Sequence, residues 1–364
     1  MSLTLENVDH VVDGARHISE ANLAFEPGSF NVLLGRTLAG KTTLMRLMAG
    51  LEPPSRGRIL MNGHDVTGVP VRQRNVSMVY QQFINYPSLT VFDNIASPLK
   101  LARVDRQEIK RRVRETAEML HIEHLLDRYP QELSGGQQQR TAMARALVKD
   151  ADLVLFDEPL VNLDYKLREE LRLEMRKLFQ ARNTIAVYAT TEASEALALG
   201  GTTTLLHEGR IIQSGPTEEV YGHPCNVTAA GLFSEPPINL LDVQVRGASV
   251  HFGADMCFAR PAWLRELEDG RYQLGVRPSH LSLTPLAEDD LEFNVTVDLA
   301  EISGSETFLH VSNRHLSLVL HLNGIHDFDV DDSVRVFVPG SKLVVFDAQE
   351  TLIKAPQRQG GHHG

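Results

Sequence analysis

Cysteine is almost absent: 364 residues hold two, Cys225 and Cys257. They stand far apart without metal-ligand spacing, so both are expected to remain thiols in a reducing compartment. Positive charge is in deficit, with 36 Lys and Arg against 47 Asp and Glu, a formal net charge of −11. That balance excludes broad electrostatic attraction to nucleic acid or anionic lipid, and any phosphate contact must be local. No apolar run approaches the roughly 18–20 residues that cross a bilayer. The start, MSLTLENVDH, lacks the basic region and apolar core of a leader, so a cytosolic location is expected. No internal repeat is evident, and the ending APQRQGGHHG reads as a loose tail (356–364) rather than a metal site.

What is present is the balance of a folded globular protein, 42% hydrophobic and 23% charged, with length for two domains. Up to about residue 230, short apolar runs such as FNVLLG (30–35) and LVLF (153–156) alternate with helix-period segments. That alternation predicts an α/β fold with a parallel sheet covered by helices. Residues 101–129 form a charge-rich helical insertion. Its KRRVR cluster is flanked by acidic residues at helical spacing and reads as a solvated helix face rather than a nucleic-acid patch. From about 240 the pattern changes to short alternating strands, FNVTVDLAEI, TFLHV, LSLVLHL and SVRVFV, predicting a small all-β, barrel-like domain. The proline pair in SEPPINLLD (234–242) marks the boundary. We therefore expect domains at 1–235, with a helical subdomain at about 82–150, and at 236–355.

Three motifs carry chemistry. The first, GRTLAGKTT (35–43), follows an apolar strand and opens a segment whose Leu44, Leu47, Met48 and Leu51 share one helical face. Gly35, Arg36, Thr37, Leu38, Ala39, Gly40, Lys41, Thr42 and Thr43 fit a P-loop. Backbone N–H groups wrap phosphates, Lys41 neutralises the terminal ones and Thr42 offers a hydroxyl to Mg²⁺. A glycine turn that happens to precede Lys-Thr is the bland alternative. The second, ADLVLFDEP (151–159), brings Asp157 and Glu158 to a strand end, where one carboxylate can serve Mg²⁺ and the other orient water; a helix cap is its alternative. The third, LSGGQQQR (133–140), sets Ser134, Gly135, Gly136 and Gln137 at a helix N-terminus ready for an anion, or simply well capped.

Together these words resemble the ATP-binding cassette (ABC) ATPases, and the resemblance runs through almost the whole chain. It implies that Gln81 in VYQQFINYPSLTVFDNI (79–95) links Mg²⁺ and the γ-phosphate to a membrane partner. Phe83 and Tyr86 would line the groove for a coupling helix, and Asp164 in VNLD (161–164) would meet an opposite subunit. GVRPSHLSL, ISGSETFLHV and KLVVFDAQE resemble the OB-like (TOBE-type) regulatory domain of carbohydrate and polyol importers, with the ATPase subunit of a bacterial glycerol uptake transporter the nearest in kind. The resemblance thus implies an ATP- and Mg²⁺-dependent ATPase at the cytoplasmic face of the inner membrane. It would be bound to transmembrane permease subunits and, through them, served by a periplasmic solute-binding protein. A soluble cassette ATPase of translation or repair would share the loop and signature but not this C-terminal region.

Three positions depart from the family. Val12 stands where an aromatic ring usually stacks on adenine, a contact worth about 1–3 kcal/mol in related settings. Leu38 replaces a common glycine of the phosphate loop. In VYATTEASEA (187–196), Thr191 takes the place of the histidine that contacts the γ-phosphate. A threonine hydroxyl can hydrogen-bond a phosphate oxygen but cannot carry charge or shuttle a proton near neutral pH. Thr191 also reads as a helix N-cap, with Glu192 and Glu195 suited to the positive helix end.

In the family each ATP lies between the phosphate loop of one subunit and the signature of another. Val12, Leu38, Lys41, Glu158 and Thr191 therefore belong to one site, and Ser134, Gly135 and Gly136 to the other. The losses all fall on the first. We expect a slow own site and a second, different ATPase subunit as partner. The alternatives are a homodimer in which Thr191 serves, or a largely non-hydrolysing nucleotide-binding subunit.

Overall fold

A computed structural model describes residues 2–160, 164–181, 184–253 and 256–356. Residues 161–163 of the VNLD stretch and the GGHHG tail lie outside the described residues. The chain divides into two compact units, Met1–Thr217 and Glu218–Gly364.

The first unit opens with β1 (Leu3–Val12), β2 (Ala15–Phe25) and β3 (Phe30–Leu34), then α1 (Lys41–Ala49), β4 (Arg56–Met61), β5 (His64–Asp65) and β6 (Val76–Val79). Three helices follow, α2 (Val91–Leu101), α3 (Arg106–Met119) and α4 (Gly135–Leu147). The unit continues with β7 (Leu153–Asp157), α5 (Tyr165–Ala181), β8 (Ile185–Thr190), α6 (Ala193–Leu199), β9 (Thr202–His207) and β10 (Arg210–Pro216). Its six-stranded sheet has the order β10-β9-β3-β8-β7-β6. The five strands from β9 to β6 run parallel, and β10 closes the edge antiparallel. FNVLL, LVLFD and IAVYAT read as near-continuous apolar runs because they are central parallel strands, buried on both faces. A separate antiparallel sheet, β2-β1-β4-β5, packs into the same core.

On α1, Leu44, Met45, Leu47, Met48 and Ala49 are buried, each large side chain contributing about 2 kcal/mol. The helix ends two residues before the apolar pattern does. Gly50 adopts the left-handed conformation (φ 76°) and ends it at Ala49, so Leu51 lies past the helix and is exposed. The charge-rich α3 is a surface helix on which Arg111 pairs with Glu108 and Glu115, and Arg112 with Glu108 and Asp150.

Among the described residues of the second unit, two short helices, α7 (Thr217–Gly222), which begins on the dividing residue, and α8 (Val227–Leu232), precede ten strands. β11 (Asn239–Arg246), β12 (Ser249–Phe252), β13 (Met256–Ala259) and β14 (Gly270–Val276) are followed by β15 (Leu291–Ser303), β16 (Glu306–Ser312) and β17 (Ser317–Asn323). β18 (Ser333–Val338), β19 (Val344–Phe346) and β20 (Leu352–Lys354) complete the set. They form two antiparallel sheets, β13-β12-β11-β14-β19-β20 and β17-β16-β15-β18. Alternate residues such as Leu241, Val243 and Val245 on β11, and Phe293, Val295 and Val297 on β15, meet in one core, as period-two patterning requires.

Candidate nucleotide site

The site grows out of three adjacent parallel strands. β3 lies between β8 and β9, and β8 lies between β3 and β7, with Leu34 opposite Thr190 and Asp157 opposite Ala189. Their C-terminal ends therefore release the phosphate loop, the Asp157–Glu158 pair and Thr191 side by side, the place where open parallel sheets bind ligands. Two backbone bonds fasten the edge: Gly35 N–H donates to Thr190 O (3.3 Å) and Glu158 N–H to Ala189 O (3.1 Å).

Residues 35–40 run without regular structure into α1. Gly35 is required sterically, since a Cβ there would lie 2.4 Å from Leu206 O. Gly40, the residue before α1, has φ 102°, a backbone state open to glycine. Leu38 also has positive φ, 67°, and its side chain is 96% exposed. A side chain at this position costs about 1 kcal/mol relative to glycine. The Lys41 ammonium is buried, 5% exposed, and curls over the loop to donate to Gly35 O (2.8 Å) and Arg36 O (3.3 Å).

Thr42 Oγ1 donates to Asp157 Oδ2 at 2.8 Å. Lys41 Nζ lies 3.3 Å from Glu158 Oε1, and Gln81 Nε2 donates to Glu158 Oε2 at 3.1 Å. The structure thus brings together Lys41, Thr42, Gln81, Asp157 and Glu158. Burial pushes the Asp157 carboxyl above its ordinary value and the Glu158 charge adds to this, while the Thr42 hydrogen bond and the Lys41 charge pull it back. Glu158 itself has φ 48°, a strained backbone state for a residue with a Cβ.

Val12 ends β1 opposite Ala15, 40% exposed, at the Asp13–Gly14 turn. Ser134 caps α4: its Oγ accepts from Gln137 N–H, and Gln137 Oε1 accepts from Ser134 N–H at 2.9 Å, a capping box. Ser134 and Gly135 are exposed. Among the described residues no hydrogen bond joins this turn to the phosphate loop. Phe83 Cζ lies 4.0 Å from where a Cβ on Gly135 would stand. Half-exposed Tyr86 lies under the Arg145 guanidinium, 4.8 Å from the ring centre. The same side chains of Tyr86 and Arg145 line a cavity of about 270 Å³ with Pro98, Leu101 and Ala142. Asp164 accepts from Leu167 N–H (3.0 Å) at the start of α5.

The N-cap reading of Thr191 does not hold. The residue preceding α6 is Glu192, without a side-chain cap bond. The hydroxyl that accepts Glu192 N–H belongs to Thr190, at 3.0 Å. Glu195 does lie in the first turn of α6. It is 2% exposed and accepts from the hydroxyls of Thr190 (2.6 Å) and Tyr188 (3.1 Å). This buried cluster is absent from the sequence reading; its only signal is a Glu five residues past a strand end, which also fits a helix-dipole role.

The sequence profile of the ABC transporter family matches residues 18–161. The sn-glycerol-3-phosphate import ATP-binding protein UgpC of Psychromonas ingrahamii is 34% identical over 356 residues, 95% of this chain and 94% of that protein. The trehalose/maltose import ATP-binding protein MalK of Thermococcus litoralis is 39% identical over 310 residues, 81% and 83% of the two chains. Among solved structures, the dimeric post-hydrolysis state of the ATP-binding cassette MJ0796 bound to ADP and Pi matches with a TM-score of 0.55 and 26% identity. It covers 59% of this chain and 98% of that one. A phosphate loop, a capped signature helix and a strand-end Asp-Glu pair in this order, with relatives matched along most of their length, place the chain in the ABC transporter family, as an ATP-binding, ATP-hydrolysing transport subunit.

Proposed function

We propose that the chain energises a membrane importer of a small polyol or sugar, glycerol first among them, from the cytoplasmic face of the inner membrane. The observation that carries the ATPase part is the convergence of Lys41, Thr42, Gln81, Asp157 and Glu158 at three neighbouring strand ends. Gly35 and Gly40 let the loop backbone pass close to Leu206 and His17, and Lys41 stands over the loop as the counter-charge for phosphates. Arg36, Thr37, Leu38, Ala39 and Thr43 complete the loop's run of N–H donors. The hard oxygens of Thr42, Gln81 and Asp157 fit Mg²⁺, which when bound would neutralise charge developing on the phosphates. Glu158 orients the attacking water and takes its proton. Tyr86, Phe83 and the cavity beside them receive a permease segment, Asp164 faces the opposite subunit, and the β-rich unit serves as an OB-like, TOBE-type regulatory domain bounded near Pro236. The relatives named for sn-glycerol-3-phosphate and trehalose/maltose import point to the polyol and sugar class. Uptake of labelled glycerol, glycerol 3-phosphate and maltose by the assembled transporter tests the solute; glycerol uptake at background level overturns that assignment.

We further propose that this chain's own site is the weaker of two. Val12, Leu38 and Thr191 all sit on the phosphate-loop side, whereas Ser134, Gly135, Gly136 and Gln137 form an intact capped turn available to another subunit. Loss of an acid–base group lowers rate by about 10²–10⁴-fold, so a different, more complete ATPase subunit is the expected partner. Purification of the transporter decides this: a single ATPase species at two copies overturns the unlike pair.

A further inference from the structure

We propose that Glu195 is a positioning residue for ATP hydrolysis, its buried carboxylate fixing where the end of β8 stands between the phosphate loop and Glu158. The inference rests on the reading of this edge as the hydrolytic site.

Three elements build the clamp. α6 supplies the Glu195 carboxylate. From β8, the Thr190 and Tyr188 hydroxyls both donate to Oε2. From α5, Arg172 Nη2 faces Oε1 at 3.6 Å, while its Nη1 pairs with Glu169 at 2.6 Å. Glu192 is the remaining charged group near the carboxylate, and Arg168 of α5 holds it at 3.1 Å. A buried carboxylate is costly unless its oxygens are used, and a fully partnered one specifies a geometry. Burial raises the Glu195 carboxyl above its ordinary value, against the opposing hydrogen bond from Thr190.

Thr190 transmits that geometry. Its hydroxyl joins Glu195 to the Glu192 N–H, and its carbonyl accepts from Gly35 N–H, while the adjacent Ala189 carbonyl accepts from Glu158 N–H. A displaced Thr190 therefore moves the phosphate loop and the water-orienting carboxylate relative to each other. Misplacement on the order of 1 Å lowers rates by about 10²-fold.

The test measures ATP turnover of the assembled transporter, with hydrolysis by any unlike second ATPase chain silenced. Thr190→Val and Glu195→Ala should each lower kcat about tenfold or more, with KM for ATP within about twofold because the Lys41 cradle remains. Thr190→Ser, which restores the hydroxyl, should return kcat to within about twofold of the parent. Unchanged kcat in Thr190→Val, or a loss that Thr190→Ser fails to restore, overturns the clamp. If Glu195→Ala does not fold, the Val–Ser pair at 190 decides alone. Thr191→Ala separates the two readings: a loss there with none in Thr190→Val sinks the clamp only, and no loss there with a loss in Thr190→Val sinks the role of Thr191 only.

Discussion

Lys41 and Glu158, from the first turn after the phosphate loop and the end of β7, form an ion pair of 3.3 Å. The cation that must meet phosphate and the carboxylate that must handle water thus hold each other. Glu158→Gln removes the base but keeps the side chain's shape and its contact with Gln81. Turnover should fall by about 10²–10⁴-fold while ATP affinity stays within a few-fold. Single-turnover hydrolysis beside equilibrium nucleotide binding checks both; an equal loss in the two would show that Glu158 acts through binding.

Leu38 gives a second expectation. Its φ of 67° and nearly complete exposure mean that the leucine side chain is strained without being packed. Leu38→Gly should relieve about 1 kcal/mol in the folded loop, part of it offset by the freer unfolded chain. Because the strain is already present without nucleotide, it is common to the free and bound loop, and ATP affinity should stay within about twofold, read by calorimetric titration, with little change in melting temperature.

Thr191→His restores an ionisable group at the end of β8. If the missing imidazole limits the reaction, kcat should rise about tenfold or more. Its pH profile should acquire a limb near the ordinary histidine range. Unchanged turnover would locate the slow step elsewhere.

Asp157 sets function against stability. Its folded-state value is raised by burial, so the folded protein binds the proton more tightly than the unfolded chain does. The favourable contribution is therefore complete below the unfolded carboxylate value and is lost as pH rises through the raised folded one. Asp157→Asn, which can still accept from Thr42, should melt higher than the parent at neutral pH, with the gap closing as pH falls toward 4. It should also abolish Mg²⁺-dependent hydrolysis. Melting curves across pH test the first statement and an ATPase assay the second.

His280 in the second unit carries the opposite sign. Burial first, then the Arg277 and Lys342 charges, lower it from 6.5 to about 4. The unfolded chain thus takes up the proton first, and stability is lost as pH falls through 6.5 toward 4. His280→Gln should flatten that loss, seen as a smaller melting shift of the second unit between pH 7 and pH 5.

The sequence makes the phosphate loop, the Asp157–Glu158 strand end and the signature turn legible because each is a local word whose chemistry lies within a few consecutive residues. The β strands after 290 are legible for the same reason, alternation being a short-range signal. What it hides are facts of assembly. That Leu38 needs positive φ depends on the whole course of the loop. That Thr190, rather than Thr191, receives Glu192 N–H depends on how β8 turns into α6. The pairing of Glu195 with Tyr188 and Arg172 joins three elements, partners that its first-turn position on α6 does not reveal. Leu51 shows the same limit at small scale, one glycine overriding an otherwise continuous apolar face.

The backbone bonds at the end of β8 have a consequence for how such a site changes over time. Gly35 and Glu158 are fastened to the carbonyls of Thr190 and Ala189, groups that every residue type carries, and the side chain at 191 takes no part in holding them. That position can therefore exchange one side chain for another with the sheet edge intact. A subunit built this way can shed catalytic power at its own loop while still presenting a well-formed signature to a neighbour, so the two halves of its surface are free to diverge.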